Sequence, residues 1–131
     1  MVFFMAKYRK KLEADIRCPL EYGLSVFGGK WKSRIICVLS ADKKLRYSEI
    51  RKEMYNITDA VLAATLKDLI ADGIVDRKSY DEIPPRVEYS LTGKGNSVVP
   101  ILQSICRWSD IFYKEDVENE MKQCQKCDYH R

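Results

Sequence analysis

The side chains of this chain that could carry chemistry are thiols and cations. Five cysteines stand at positions 18, 37, 106, 124 and 127, and the one histidine is His130. Cys124-x-x-Cys127-x-x-His130 places two thiolates and an imidazole at a spacing that suits zinc. A closed structural site needs a fourth ligand, and no second pair with matching spacing lies nearby. A chain terminus with no role fits the segment better than zinc or a redox dithiol, so neither a metal nor a cofactor is assigned. No Gly-rich phosphate loop and no nucleophile–base constellation is present, which argues against an enzyme. The odd cysteine count argues against a full intrachain disulfide framework.

The cations are more informative. Residues 28–54 hold Lys30, Lys32, Arg34, Lys43, Lys44, Arg46, Arg51 and Lys52 against Asp42, Glu49 and Glu53, a net charge of +5. Residues 55–73 hold Lys67 against Asp59, Asp68 and Asp72, a net charge of −2. Lysine and arginine concentrated in this way suit the phosphates of a nucleic acid, which supply most non-specific affinity. A charged stretch alone is also how a solvated face looks. The whole chain, 131 residues at net +4, is one mildly basic domain's worth of sequence. No run approaches the ~20 apolar residues of a membrane-spanning helix. The apolar start, Val2–Ala6, is shorter than the ~7–15-residue core of a signal peptide. The chain therefore reads as cytoplasmic, with its cysteines mostly reduced.

The elements that must position these groups follow from periodicity and punctuation. Residues 7–15 could form a short charged helix. Pro19 suits a first helical turn, and that helix stops at Gly28-Gly29. The next helix, about 30–40, carries Trp31, Ile35, Val38 and Leu39 as a core-facing stripe. Residues 45–47 suit a short strand, and a helix follows over 48–54 with Ile50 and Met54 inward. Thr58 is a good N-cap for a helix that runs to about Asp72 and ends at Gly73. Leu62, Leu66, Leu69 and Ile70 form its expected buried stripe, and Ala60, Ala63, Ala64 and Lys67 the opposite, flat face. Ile74–Asp81 and Arg86–Leu91 read as strands joined across Ile83-Pro84-Pro85, where proline forbids regular pairing. Thr92 then caps a helix that stays amphipathic to about residue 120, with Pro100 as a possible kink. The expected architecture is mainly α (α+β). It is a single winged helix-turn-helix domain over 1–131, with flanking N- and C-terminal helices. The helix-turn-helix spans 47–73, the wing 74–91, the C-terminal helix 92–120 and the tail 121–131. Such a unit places one helix in the DNA major groove.

Three stretches carry a resemblance: CPLEYGLSVFGGKWKSRII (18–36), LRYSEIRKEMYNITDAVLAATLKDLIADGIVDR (45–77) and PPRVEYSLTGKG (84–95). In this order they resemble the HxlR family of bacterial winged-helix regulators, relatives of the MarR type. The resemblance implies a homodimer on inverted-repeat operator DNA that represses or activates nearby genes. It also implies that the N- and C-terminal helices form the dimer interface. Some members of the resembling family sense oxidants or electrophiles through a cysteine before this proline, here Cys18. A thiolate at that place is favoured by the helix dipole and by Arg17; a structural thiol is the alternative. Cys37 and Cys106 fall within apolar helix patterns and read as core.

One departure stands out. Where family members often carry Gln, Arg or Thr on the reading helix, this chain has Asp59, Ala60, Ala63 and Ala64. Alanine can touch a thymine methyl but makes no bidentate base contact. Asp59 either accepts from cytosine or simply starts the helix. Sequence discrimination is then expected to lean on close approach and DNA shape. The candidate DNA-binding set is Lys32, Arg46, Ser48, Thr58, Asp59, Ala60, Ala63, Ala64, Lys67, Arg77, Lys78 and Arg86. Arg86 has a second reading, as the partner of Asp81 or Glu82. The candidate dimer face is Ile101, Leu102, Ile105, Trp108 and Phe112. The leading expectation is a repressor-type, sequence-specific regulator of double-stranded operator DNA with no membrane partner. The rivals are a winged-helix protein–protein assembly module and, further off, a redox or metal enzyme using the tail dithiol.

Overall fold

A computed structural model describes residues 15–113. The expected helix over 7–15, the Cys124/Cys127/His130 segment and the end of the expected C-terminal helix lie outside them. Five helices and a small sheet follow in order: α1 (Pro19–Phe27), α2 (Lys30–Asp42), β1 (Lys44–Leu45), α3 (Tyr47–Met54), α4 (Asp59–Ala71), β2 (Val75–Tyr80), β3 (Arg86–Leu91) and α5 (Gly93–Ser109). The sheet is antiparallel with β3 in the middle, in the order β1-β3-β2.

Helix α2 is the centre of the fold. Its Ile35, Ile36, Val38 and Leu39 are buried, and it packs against α1, α3, α4, α5, β1 and β3. The helix runs two residues past the expected end, because Lys43 turns into positive φ only after Asp42. Trp31 is only half-buried and sits at the rim of the core. On α4 the buried residues are Leu62, Thr65, Leu66 and Leu69, while Ile70 is exposed. The expectation for Ile70 fails for a geometric reason. Positions 62, 65, 66 and 69 share one face at 3.6 residues per turn, and 70 is rotated past its edge. Thr65 is tolerated there because its hydroxyl donates to the Val61 carbonyl at 2.6 Å, which satisfies a group that burial would otherwise strand.

The ends of α4 hold it against the rest of the domain. Thr58 accepts the Val61 N–H at 3.2 Å. Ile57 before it and Leu62 after it are both buried, the pattern that fixes the angle at which a chain enters a helix. Gly73 leaves the helix at φ 75°. The Thr92 hydroxyl donates to the Gly73 carbonyl and accepts from the Gly95 N–H, so one side chain ends one helix and starts another. Lys94 adds a clasp, donating to the Asp72 carbonyl at 2.9 Å and to the Tyr22 hydroxyl of α1 at 2.8 Å.

Strands β2 and β3 pair from Val75↔Leu91 to Tyr80↔Arg86. The hairpin joins the core through buried Val75 and Tyr89, with Val87 and Leu91 of β3 packed beside them. Helix α5 continues unbroken across Pro100, and it ends at Ser109, short of the expected residue 120. Ser109 and Asp110 favour local turns over helix continuation. The Phe112 and Tyr113 N–H groups both return to the Ser109 carbonyl.

Candidate nucleic-acid interface

The turn between α3 and α4 is unusual. Tyr55 and Asn56 follow one another at φ 58° and 57°, a left-handed region that Asn tolerates and Tyr does not favour. This sharp reversal brings the exposed side of α3 beside the first turn of α4. Arg51 Nε lies 2.8 Å from Asp59 Oδ1, and the Tyr47 hydroxyl donates to the Asp59 carbonyl at 3.2 Å. Burial and, next, the Asp59 charge raise the Tyr47 phenol above its ordinary value, so it remains a neutral donor. Ser48, Arg51, Lys52, Tyr55, Asn56, Ile57, Thr58 and Asp59 line an open groove of about 770 Å³ at this junction.

On the outer side of α4, Ala60, Ala63, Ala64 and Lys67 are all exposed, at the i, i+3, i+4, i+7 spacing of one helical face. Thr58 and Asp59 sit at its N-terminal end, next to Ser48 of α3. Arg46 is exposed just before α3, where its N–H donates to Glu49 at 2.8 Å. Lys32 is different. It is half-buried, and its ammonium donates to the Ser25 carbonyl at 2.9 Å, so it closes the end of α1. Lys30 and Arg34 lie over the Trp31 ring at 4.5 and 5.2 Å.

In the wing, register decides which side chains meet. Lys78 and Tyr80 oppose Glu88 and Arg86, so all four share one face of the hairpin. Arg86 stacks 3.8 Å over the Tyr80 ring, and its guanidinium pairs with Glu82 at 2.9 Å and Glu88 at 2.7 Å. Of its two sequence readings, the pairing with an acid is what the structure shows, with Glu88 as an additional partner. Lys78 lies 5.1 Å from the Tyr80 ring and stays exposed, as does Arg77. The tip carries Ile83, fully open to solvent.

A second surface is apolar. Leu20, Tyr22 and Leu24 of α1 are exposed, as are Ile101, Ile105 and Trp108 of α5 and Phe112 beyond it. The Trp108 and Phe112 rings touch at 5.4 Å between centroids. Leu102 does not belong with them. It is only 9% exposed and packs into the domain's own core with Val98, because it lies one residue round the helix from Ile101. Cys106 is exposed, against the expectation of a core residue, whereas Cys37 is half-buried against the core. Cys18 is exposed at the N-cap of α1. Arg17 pairs with Asp15 at 2.9 Å. Among the described residues, no three side chains are grouped as metal ligands, and no helix is long and apolar enough to cross a membrane.

Sequence reasoning overlooked Arg51 and Tyr55, which line the groove at this junction. The signal for Arg51 was its place one turn after Ser48 on the polar side of α3. For Tyr55 there was no signal, since nothing in a tyrosine announces positive φ.

The arrangement is that of known regulators. Residues 26–117 match the HxlR-like helix-turn-helix family. The HTH-type transcriptional regulator BH0655 of Halalkalibacterium halodurans is 44% identical over 104 residues, covering 79% of this chain and 92% of that protein. The redox regulator HypR in its oxidised form is 40% identical with a TM-score of 0.67, covering 75% of this chain and all of that one. A MarR-family transcriptional regulator from Porphyromonas gingivalis W83 is 35% identical with a TM-score of 0.68, covering 76% of this chain and 96% of that one. With a winged helix-turn-helix fold and relatives of this identity and coverage, the chain belongs to the HxlR-like helix-turn-helix family of transcriptional regulators.

Proposed function

We propose that this protein is a cytoplasmic homodimer that binds double-stranded operator DNA and represses the adjacent promoter. Helix α4 enters the major groove, α3 lies against the backbone, and the β2–β3 wing reaches the flanking groove. The observation that carries this reading is the α3–turn–α4 unit. Its outer face is exposed along its length, small in side-chain volume on α4 and basic before it. A groove-entering helix needs that clearance, and flanking cations supply the phosphate contacts. Dimerisation through α1 and α5 is supported by the apolar side chains left uncovered there, a surface of the kind that marks interfaces. Two copies would present two α4 helices to half-sites about one helical turn apart.

The test is titration of duplex DNA containing an inverted repeat from the intergenic region beside the protein's own coding sequence. It is followed by fluorescence anisotropy over a range of salt concentrations, with promoter activity measured in a reporter strain. A steep fall of log K with log salt and a preference over scrambled duplex are expected. Absence of binding at low salt would favour a winged-helix assembly module instead.

A second reading concerns Cys18. Its thiol is solvent-exposed at the start of α1, a helix that carries part of the proposed dimer face, and the similar protein HypR is a redox regulator. A Cys18 thiolate attacking a peroxide would yield a sulfenic acid and release the leaving oxygen as water or an alcohol after protonation. Operator affinity should then change on peroxide treatment of the wild type and not of Cys18→Ser. Equal responses from the two would refute it.

A further inference from the structure

We infer that Arg51, buttressed by Asp59, reads a guanine in each operator half-site. The inference rests on the DNA-binding reading above and deepens it by naming the residue that confers sequence specificity. The outer face of α4 offers Ala60, Ala63 and Ala64, which hold no donor or acceptor on their side chains, and then Lys67, a single point charge two turns along. None of these presents the planar two-donor fork of a guanidinium to a base edge. The donor such a contact needs stands on the neighbouring helix. Arg51 projects from α3 to the first residue of α4, the helix end that meets the bases in a helix-turn-helix.

Three features of the pair fit this role. The ion pair uses Nε of Arg51, at 2.8 Å from Asp59 Oδ1. The two terminal nitrogens therefore remain as a planar fork, the geometry that matches O6 and N7 of guanine. Both side chains are open to solvent, at 49% and 70% exposure, so the pair is accessible to a duplex, and an exposed ion pair contributes little to folding. Finally, Arg51 neutralises an acid that would otherwise face the phosphates. Asp59 in turn gains from the positive end of the α4 dipole and, through the 2.8 Å pair, orients the guanidinium. Asp59 is thus a positioning residue for Arg51, and its direct contact with cytosine is unnecessary.

The experiment uses the full-length wild type, Arg51→Ala, Arg51→Lys and Asp59→Asn, each checked for an unchanged thermal melt. Binding is measured to the operator, to scrambled duplex, and to operators with 7-deazaguanine at single positions, which removes N7. Arg51→Ala and Arg51→Lys should each lose about 5- to 150-fold on the operator, the loss of one bidentate pair, with little change on scrambled duplex. Lysine retains the charge but not the fork, so its failure separates base reading from phosphate attraction. Asp59→Asn should lose less and relax the preference at the same base pair. A 7-deazaguanine at that position should weaken the wild type and leave Arg51→Ala unaffected. Equal losses on operator and scrambled DNA, or full rescue by lysine, would overturn the proposal and make Arg51 a phosphate contact. Wild type that binds no DNA would instead overturn the DNA-binding reading itself.

Discussion

Replacing Trp108 by glutamate tests the proposed dimer most directly. Trp108 is 66% exposed on α5. An aromatic of its size buries ~250 Å² at most, so about 165 Å² awaits cover. At ~25 cal/mol per Å² this is about 4 kcal/mol per protomer if fully covered. An isologous dimer contains the residue twice, so the upper bound is about 8 kcal/mol. If only half of that area is covered, the loss is still about 4 kcal/mol, close to a thousandfold in dissociation constant. Loss of its ring also uncovers Phe112, which it touches at 5.4 Å, and a glutamate brought to the interface must be desolvated. The fold should persist, because Val98 and Leu102 anchor α5 in the core. Sedimentation velocity from ~1 to ~100 μM should show a wild-type dimer and a monomeric variant, and the variant should bind an isolated half-site as well as wild type does but lose the gain from the inverted repeat. A wild type that sediments as a monomer, or a variant that dimerises as well as wild type, would refute the argument.

Other perturbations probe the remaining parts. Lys67→Ala and Arg46→Ala should weaken binding to operator and scrambled duplex alike, each lowering the salt slope by roughly one; a loss confined to operator would mean base reading. Ala63→Leu and Ala64→Leu should reduce operator affinity by ~1–3 kcal/mol with an unchanged melting temperature, since both sites are exposed and leucine suits a helix; normal binding would show that this face stays out of the groove. Gly95→Ala should destabilise by ~1–3 kcal/mol, seen as a lower midpoint in urea, because a Cβ there would collide with the Ile74 carbonyl oxygen. Tyr55→Gly should raise the melting temperature, since relief of ~1–3 kcal/mol of backbone strain exceeds the few contacts that a 77%-exposed side chain makes; a lower melting temperature would show that the ring contributes more than the strain costs.

The sequence by itself determined the order of elements, because the signals involved are local. Pro19, Thr58, Gly73 and Thr92 mark helix ends through backbone chemistry that needs no tertiary partner. The 62/66/69 stripe and the opposite 60/63/64/67 face follow from helical periodicity alone. These were enough to place the helix-turn-helix and wing and to single out α4. Some burial was misjudged where several phases of one helix were apolar. Ile70, Leu102 and Cys106 could each have pointed inward or outward, and only packing against α2 and the sheet chose.

Tertiary structure alone decided how the charged residues are partnered. Lys32 was drawn to the end of α1, Arg86 was taken by Tyr80, Glu82 and Glu88 across the hairpin register, and Arg51 met Asp59 because two consecutive left-handed residues folded α3 back beside α4. Long cationic side chains reach several ångströms with many rotamers and little intrinsic preference, so sequence spacing leaves their partners open. The positive charge was legible as composition, while which cations are held by a carbonyl, a ring or an acid was set by which groups the fold brought within reach.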